Sequence, residues 1–435
     1  MIVGKPVNLD TQDSNSTPVL VEEKDVTFID YDGTVLYSYT KSEFAQLTTL
    51  PKNPAHEGLV SQGWNWTLTG ARSYVASYGN LVIGQIYNTD DGKTRIHIRL
   101  TKGRTSPYLG IAVDGTVEVD WGDNTAVESV SGTSISDSGV ADIISTRHNY
   151  AEPGDYVISI HVVDGCFAIK GTASYPTLLW KNETNNTGEN GCYGDAVTAI
   201  HVGDNCVFGA MACYKMRALT AITFPAGFSL SNVTSAFYQC YALRHIVLPN
   251  QCDVPDTCFC YCSALFRISM PENGAIGKEA FRECRSLQSI NLPANLAELK
   301  TKTFNACTAL FHVTVPNTLR TLGTEAFSTT SIEEINLPIG ITVLPSQVFK
   351  MCMDLTCVII PSTVTNIADQ CFYGCAGLKK LVFLPYDPPT VANTNAWYNL
   401  PEDCVIYTKT GRLNTYVNTD KYPSSSTYSY KIWNG

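Results

Sequence analysis

The chain has 435 residues, 44% of them apolar and 16% charged, with a formal net charge of −10 at pH 7. That composition can bury several cores, so a disordered polymer is excluded. The acidic balance, with no long basic run, argues against nucleic acid or an anionic membrane as partner, and no stretch approaches the roughly 18 apolar residues of a membrane span.

Residues 1–24 are rich in Asp, Ser, Asn, Thr and Pro and read as an arm or linker. They lack the basic segment and apolar core of a secretory signal. Residues 25–91 form the first module. Two alternating strands flank Asp32-Gly33, a strong hairpin signal. The following Pro51, Pro54, Glu57, Gly58, Gly63 and Trp64 resemble the Listeria–Bacteroides β-grasp-like repeat of surface proteins. Trp66 and a strand near 81–87 belong to this module or to its junction with the next.

Residues 92–185 form the second module and a linker. Val117, Val119 and Trp121 alternate before the Gly122-Asp123-Asn124 turn. Tyr156, Ile158 and Ile160 alternate after Pro153-Gly154. The W-G-D-N turn followed by His148-x-Tyr150 resembles the PKD-type, Ig-like β-sandwich. Asp120 and Asp123 are expected to hold the turn by hydrogen bonds rather than to bind calcium, and His148 to be structural. The stretch 180–194, with sequons at Asn182 and Asn185, is the other candidate joint.

From 186 to 385 the sequence repeats itself. The frame F-x-x-C-x-x-L-x-x-I-x-L-P starts at Phe237, Phe259, Phe281, Phe304 and Phe349. Degenerate copies start at Cys213, Phe327 and Phe372, so the steps along the eight copies are 24, 22, 22, 23, 23, 22 and 23 residues. Each copy ends in strand alternation stopped by Pro. A single coil cannot bury its Phe, Cys, Leu and Ile, but stacked coils share one core. The frame therefore predicts a solenoid of about eight coils, roughly 40 Å long. The Phe-x-x-Cys segment is expected to be a short helix or turn. The column Cys240, Cys262, Cys284, Cys307, Cys352 and Cys375 is read as free buried thiols. In-register Cβ atoms about 4.8 Å apart are too distant for disulfides. Cys258, Cys260 and Cys262 look metal-like, but no second paired cluster accompanies them.

The frame resembles the BspA-like leucine-rich repeats of bacterial surface proteins, a resemblance that implies adhesion and contact with a host protein or glycan. Residues 386–435 resemble the cap of such proteins, with a strand at 404–408 and a short helix around 411–417. The fold class read from the whole chain is mainly β and multi-domain.

No catalytic motif is found among the seven His residues or elsewhere, so no enzyme, cofactor or metal is expected. The residues beside the core Ile of each repeat strand point outward. They include His245, Arg267, Asn291, His312 and Asn336, with Phe266 and Phe311 just before two of the strands. This set is the candidate binding face. Surface-type modules without a recognised signal favour a virion component, such as a phage tail-fibre, receptor-binding or head-decoration protein. Its N-terminal modules would dock on other virion proteins and the solenoid would lie distal on a three-module rod. The alternative is a secreted or cell-surface adhesin of a gut bacterium, and a glycan-processing enzyme is a remote third. A homo-oligomer is possible in either setting.

Overall fold

A computed structural model describes residues 24–136, 141–171, 178–179, 194–231 and 233–433. The polar arm up to residue 23 and the sequon-bearing joint at 180–193 lie outside the described residues.

The first module is a four-stranded mixed sheet packed by two helices. β1 (Val26–Ile29) and β2 (Val35–Tyr39) form the hairpin around Asp32-Gly33, where Gly33 adopts φ 88°. α1 (Lys41–Gln46) follows, with a capping box between Thr40 and Glu43. Then come β3 (Leu59–Trp64), α2 (Leu68–Tyr78) and β4 (Leu81–Thr89), giving the sheet order β2-β1-β4-β3. Phe28, Phe44, Trp64, Trp66, Tyr74 and Ile83 fill its core, with Trp64 edge-on to Phe28 at 4.8 Å. Trp64 Nε1 donates to Pro51 O at 3.0 Å, which ties the start of the Pro/Gly/Trp motif to its end.

The second module is built on β5 (Thr94–Leu100), β6 (Tyr108–Asp120), β7 (Glu128–Thr133), β8 (Ile143–Arg147) and β9 (Gly154–Ile169). These strands form one sheet. β6 and β9 pair with each other; β6 also pairs with β7 at one end and β8 at the other, and β9 also pairs with β5. Gly115 (φ 112°) and Gly165 (φ 75°) face each other just before a register shift between β6 and β9, and a Cβ on Gly165 would lie 1.9 Å from Asp114 O. The Trp-Gly-Asp-Asn turn is held as expected. Asp120 accepts from Gly122 N, and Asp123 accepts from Thr125 and sits 2.7 Å from His148 Nε2. His148 stacks on Trp121 at 4.7 Å, and Tyr150 OH donates to Trp121 O. The sheet continues past residue 185. β10 (Val197–His201) pairs with β5, and β11 (Cys206–Phe208) pairs with β9. The path β12-β10-β5-β9-β6-β7 thus carries the second module directly into the repeats, where β12 is Ala221–Thr223.

The solenoid stacks its coils in parallel register. Its main wall continues with β13 (His245–Val247), β14 (Arg267–Ser269) and β15 (Ser289–Asn291). After β16 (Glu298–Leu299) on a second wall comes β17 (His312–Thr314) on the main one. The two walls then alternate through β18 (Thr321–Leu322), β19 (Glu334–Asn336), β20 (Val343–Leu344), β21 (Cys357–Ile360), β22 (Asn366–Ile367), β23 (Lys380–Phe383) and β24 (Thr390–Val391). β10 before the eight expected repeats, and β25 (Val405–Thr408) and β26 (Ser429–Ile432) after them, lengthen the column to about 10 turns. The cap helix α3 (Leu413–Val417) lies between β25 and β26.

The Phe-x-x-Cys segment is a turn, not a helix. The residues two before and two after the Phe take the left-handed conformation, as Glu279 (55°) and Glu283 (63°) do around Phe281. For side chains other than Gly this costs about 1–2 kcal/mol each. The reversal aims the backbone along the stack, so Phe259 N donates to Ala280 O at 2.8 Å and Phe281 N to Thr303 O at 2.9 Å. The Phe rings stack from Phe237 to Phe372 at 5.2–5.9 Å and within 17° of parallel, and Trp397 of the cap ends the stack at 5.6 Å.

All fifteen cysteines among the described residues are free thiols. The repeat cysteines do more than fill space. Cys262, Cys284, Cys307, Cys352 and Cys375 each donate Sγ–H to the carbonyl of the Phe one coil earlier, at 3.0–3.1 Å. Cys240 does the same to Cys213 O, and in the coil lacking a cysteine Thr330 donates to Phe327 O. Burial pushes these thiols up, Cys352 to about 11.

Candidate binding surface

The first module does not extend away from the solenoid. It folds back and covers the outward side of the main wall at its N-terminal end, with β4 lying against β12, β13 and β14. Asn65 Nδ2 donates to Ser269 Oγ at 2.7 Å and to Met270 O at 3.1 Å, and Tyr74 OH donates to Leu292 O at 3.1 Å. Asn88 Nδ2 donates to Asp204 at 2.8 Å. The three-module rod with a distal solenoid is therefore corrected: strand alternation tells which side chains face outward, not whether another part of the chain lies on them.

His245 is corrected for the same reason. Its ring sits under Gly33 and is 1% exposed, so it belongs to the covered strip and not to an open face. Burial, with Arg267 alongside, pushes it down to about 4. Arg267 and Phe266 are half-buried at the edge of this strip, and burial lowers the Arg267 guanidinium below its ordinary value.

The uncovered part of the wall begins at β15. Asn291 Oδ1 accepts from Thr314 Oγ1 at 2.8 Å, and Thr314 Oγ1 lies 3.3 Å from His312 Nε2. Three polar side chains of neighbouring coils are thus joined in one strip. Asn336 and Glu334 follow on the next coil and are exposed. Phe311 is 47% exposed on the margin of the wall, with Gln288 between its coil and that of Phe266. The wall thus separates the seven expected residues. Asn291, Phe311, His312 and Asn336 share the open part, Phe266 and Arg267 flank the cover, and His245 is beneath it.

The C-terminal end holds residues that sequence reasoning missed. Lys380 Nζ lies 4.0 Å from the centre of the Trp433 ring and 5.5 Å from that of Tyr407. Tyr407 lies on the cap strand β25 and Trp433 just past β26, where the repeat frame has decayed. The signal was the parallel pairing of Lys380 with Val405, which only the fold displays.

The Cys258, Cys260 and Cys262 side chains are buried, and no group of three or more His, Cys, Asp or Glu among the described residues is placed to hold a metal. Asp30, the buried partner of His56 at 2.8 Å, also accepts from Tyr87 OH at 3.0 Å inside the first module. No helix among the described residues is long and apolar enough to cross a membrane.

Comparison with known proteins fits this architecture. The profile of the BspA type leucine rich repeat region matches residues 186–275 and 274–399, in six copies. No curated protein matches the chain. A leucine-rich repeat protein of T. pallidum is 28% identical over 42% of this chain and 78% of that one, with a TM-score of 0.31. One from Bacteroides ovatus is 19% identical over 55% and 82%, with a TM-score of 0.27. A leucine rich cell surface protein of Faecalibacterium prausnitzii is 20% identical over 51% and 79%, with a TM-score of 0.28. Residues 186–399 are thus a BspA type leucine-rich repeat region.

Proposed function

We propose that the protein is a non-enzymatic adhesin of a bacterial cell surface, which holds a host-surface protein or glycan on the open strand face between β15 and β26. The observation that carries this reading is the division of one continuous wall into a covered strip and an open one. Regularly spaced coils present the open strip as a preformed surface, so little ordering is lost on binding. The repeat family favours the cell-surface setting. The virion reading, with its virion partners, rests on surface-type modules without a recognised signal and on the free-thiol column, and the repeat family does not favour it.

The test is a triple substitution, Phe311→Ala, His312→Ala and Asn336→Ala, assayed by adhesion of protein-coated beads to cultured epithelial cells and by glycan array. Loss of adhesion by tenfold or more with unchanged melting supports the reading. Unchanged adhesion on both platforms sinks it.

A further inference from the structure

The cover is held by close approach of small residues and lies over two histidine rings. A Cβ on Gly84 of β4 would come within 2.7 Å of Ser269 Oγ and of Val247 Cγ1. A Cβ on Gly33 would come within 3.1 Å of the His245 ring, and one on Gly70 within 2.8 Å of Glu272. The covalent tie to the rest of the chain is short. β4 ends at Thr89 and β5 begins at Thr94. Between them Gly92 takes φ 71° and accepts at its carbonyl from Asp204 N, while Arg95 is gripped by Asp91.

Two histidines of the solenoid lie under this cover. His245 on β13 faces the Asp32-Gly33 turn of the module, and Arg267 of β14 stands beside it. His201 on β10 meets the Tyr31 ring of the module at 6.2 Å and the His97 ring of β5 at 5.1 Å. Its Nδ1 lies 3.0 Å from Thr223 Oγ1 of β12, and the Arg95 charge on β5 acts on both His201 and His97. Tyr31 is flanked by Asp30 and Asp32, and Asp30 is already paired with His56 within the module. Cations therefore stand near both rings, the buried His245 and the half-buried His201, and of these carboxylates only Asp32 favours a charge on His245.

We propose that the first module is an acid-released cover, which occupies β12–β14 at neutral pH and swings off about residues 90–93 when His201 and His245 take up protons. The exposed strip would add Val247, Ser269 and His245 to the open face, extending it toward the N-terminal coils. The inference does not depend on which ligand the open face takes.

The sign follows from burial. In the covered state burial holds His201 and His245 down at about 4. Once uncovered, each loses the desolvation imposed by the cover and rises toward the ordinary value of about 6.5, although His97 and Arg95 stay beside His201 and Arg267 beside His245. Between these values the open state binds more protons, so the cover is fully stable above about pH 6.5 and weakens as pH falls toward 4. Each histidine contributes up to tenfold per pH unit over that interval.

The experiment follows the full chain from pH 7.5 to 4.5 by small-angle scattering, circular dichroism and histidine C2-exchange mass spectrometry. The radius of gyration is expected to rise reversibly while the β-sheet signal persists, with His201 and His245 titrating only across that rise. His201→Gln and His245→Gln should each make the transition shallower by about one proton. A radius that stays constant to pH 4.5, unfolding of the whole chain in one step, or titration of either histidine near 6.5 in a compact chain would overturn the proposal. The titration readout needs no variant and so stands even if a substitution impairs folding.

Discussion

The repeat stack and the cover meet on one wall but are held together in different ways. In the stack each coil repeats the same contacts: a Phe ring on the next Phe, a thiol on the preceding carbonyl, a left-handed residue on either side. Burial is nearly complete there, with Phe237 through Phe372 and the six repeat cysteines inaccessible. The cover makes each of its contacts once. Gly84 and Asn65 both meet Ser269, Tyr74 reaches Leu292 O and Gly33 lies on the His245 ring. A core built by repetition resists local change, whereas a contact built from single polar matches is open to regulation.

The difference can be broken from either side. The largest effect is expected in the middle of the ring stack. Phe304→Ala removes a ring that contacts both Phe281 and Phe327 at 5.4 and 5.7 Å, and should lower stability in urea by about 3–5 kcal/mol. Next comes the turn of the second module. Burial alone would raise Asp123, but hydrogen bonds from Thr125 and His148 outweigh it and hold the carboxyl below its ordinary value. Its contribution is therefore present above about pH 4 and lost as the pH falls through the folded value. Asp123→Asn should cost about 1–2 kcal/mol at pH 7 in thermal melts, with the gap closing near pH 3.

Gly84→Ala tests the cover without touching the stack. It should expose β13 and β14 to labelling at pH 7.5 while the urea midpoint of the solenoid stays within error; an unchanged labelling pattern would show that the close approach is not needed. The smallest effect is expected at Ala306, which sits at φ 61° in the turn wall. Ala306→Gly should raise stability by about 0.5–1 kcal/mol, because the left-handed strain outweighs the added freedom of the unfolded chain.

Repetition also explains what could be read in advance. The Phe, Cys, Leu and Ile columns were legible because each coil solves the same packing problem with the same residues. The hydrogen bonding of Asp120 and Asp123 was legible because most of their partners lie two residues away in the same turn. The thiol-to-carbonyl bonds were not, since a cysteine on a buried column reads equally well as a small apolar filler. The cover was hidden for a different reason: Gly84 and Asn65 are ordinary in their own module and acquire meaning only against Ser269, some 200 positions away. His245 stands in the outward column with His312, yet a single turn at Gly33 buries one and leaves the other on the open strip.

Hydroxyl-radical footprinting of the full chain at pH 7.5 tests that division most directly. Phe311 and Tyr407 on the open side should be modified readily, while Tyr74, Trp66 and His245 beneath or within the cover stay protected. Modification of Tyr74 and His245 as fast as Phe311 would contradict the covered wall.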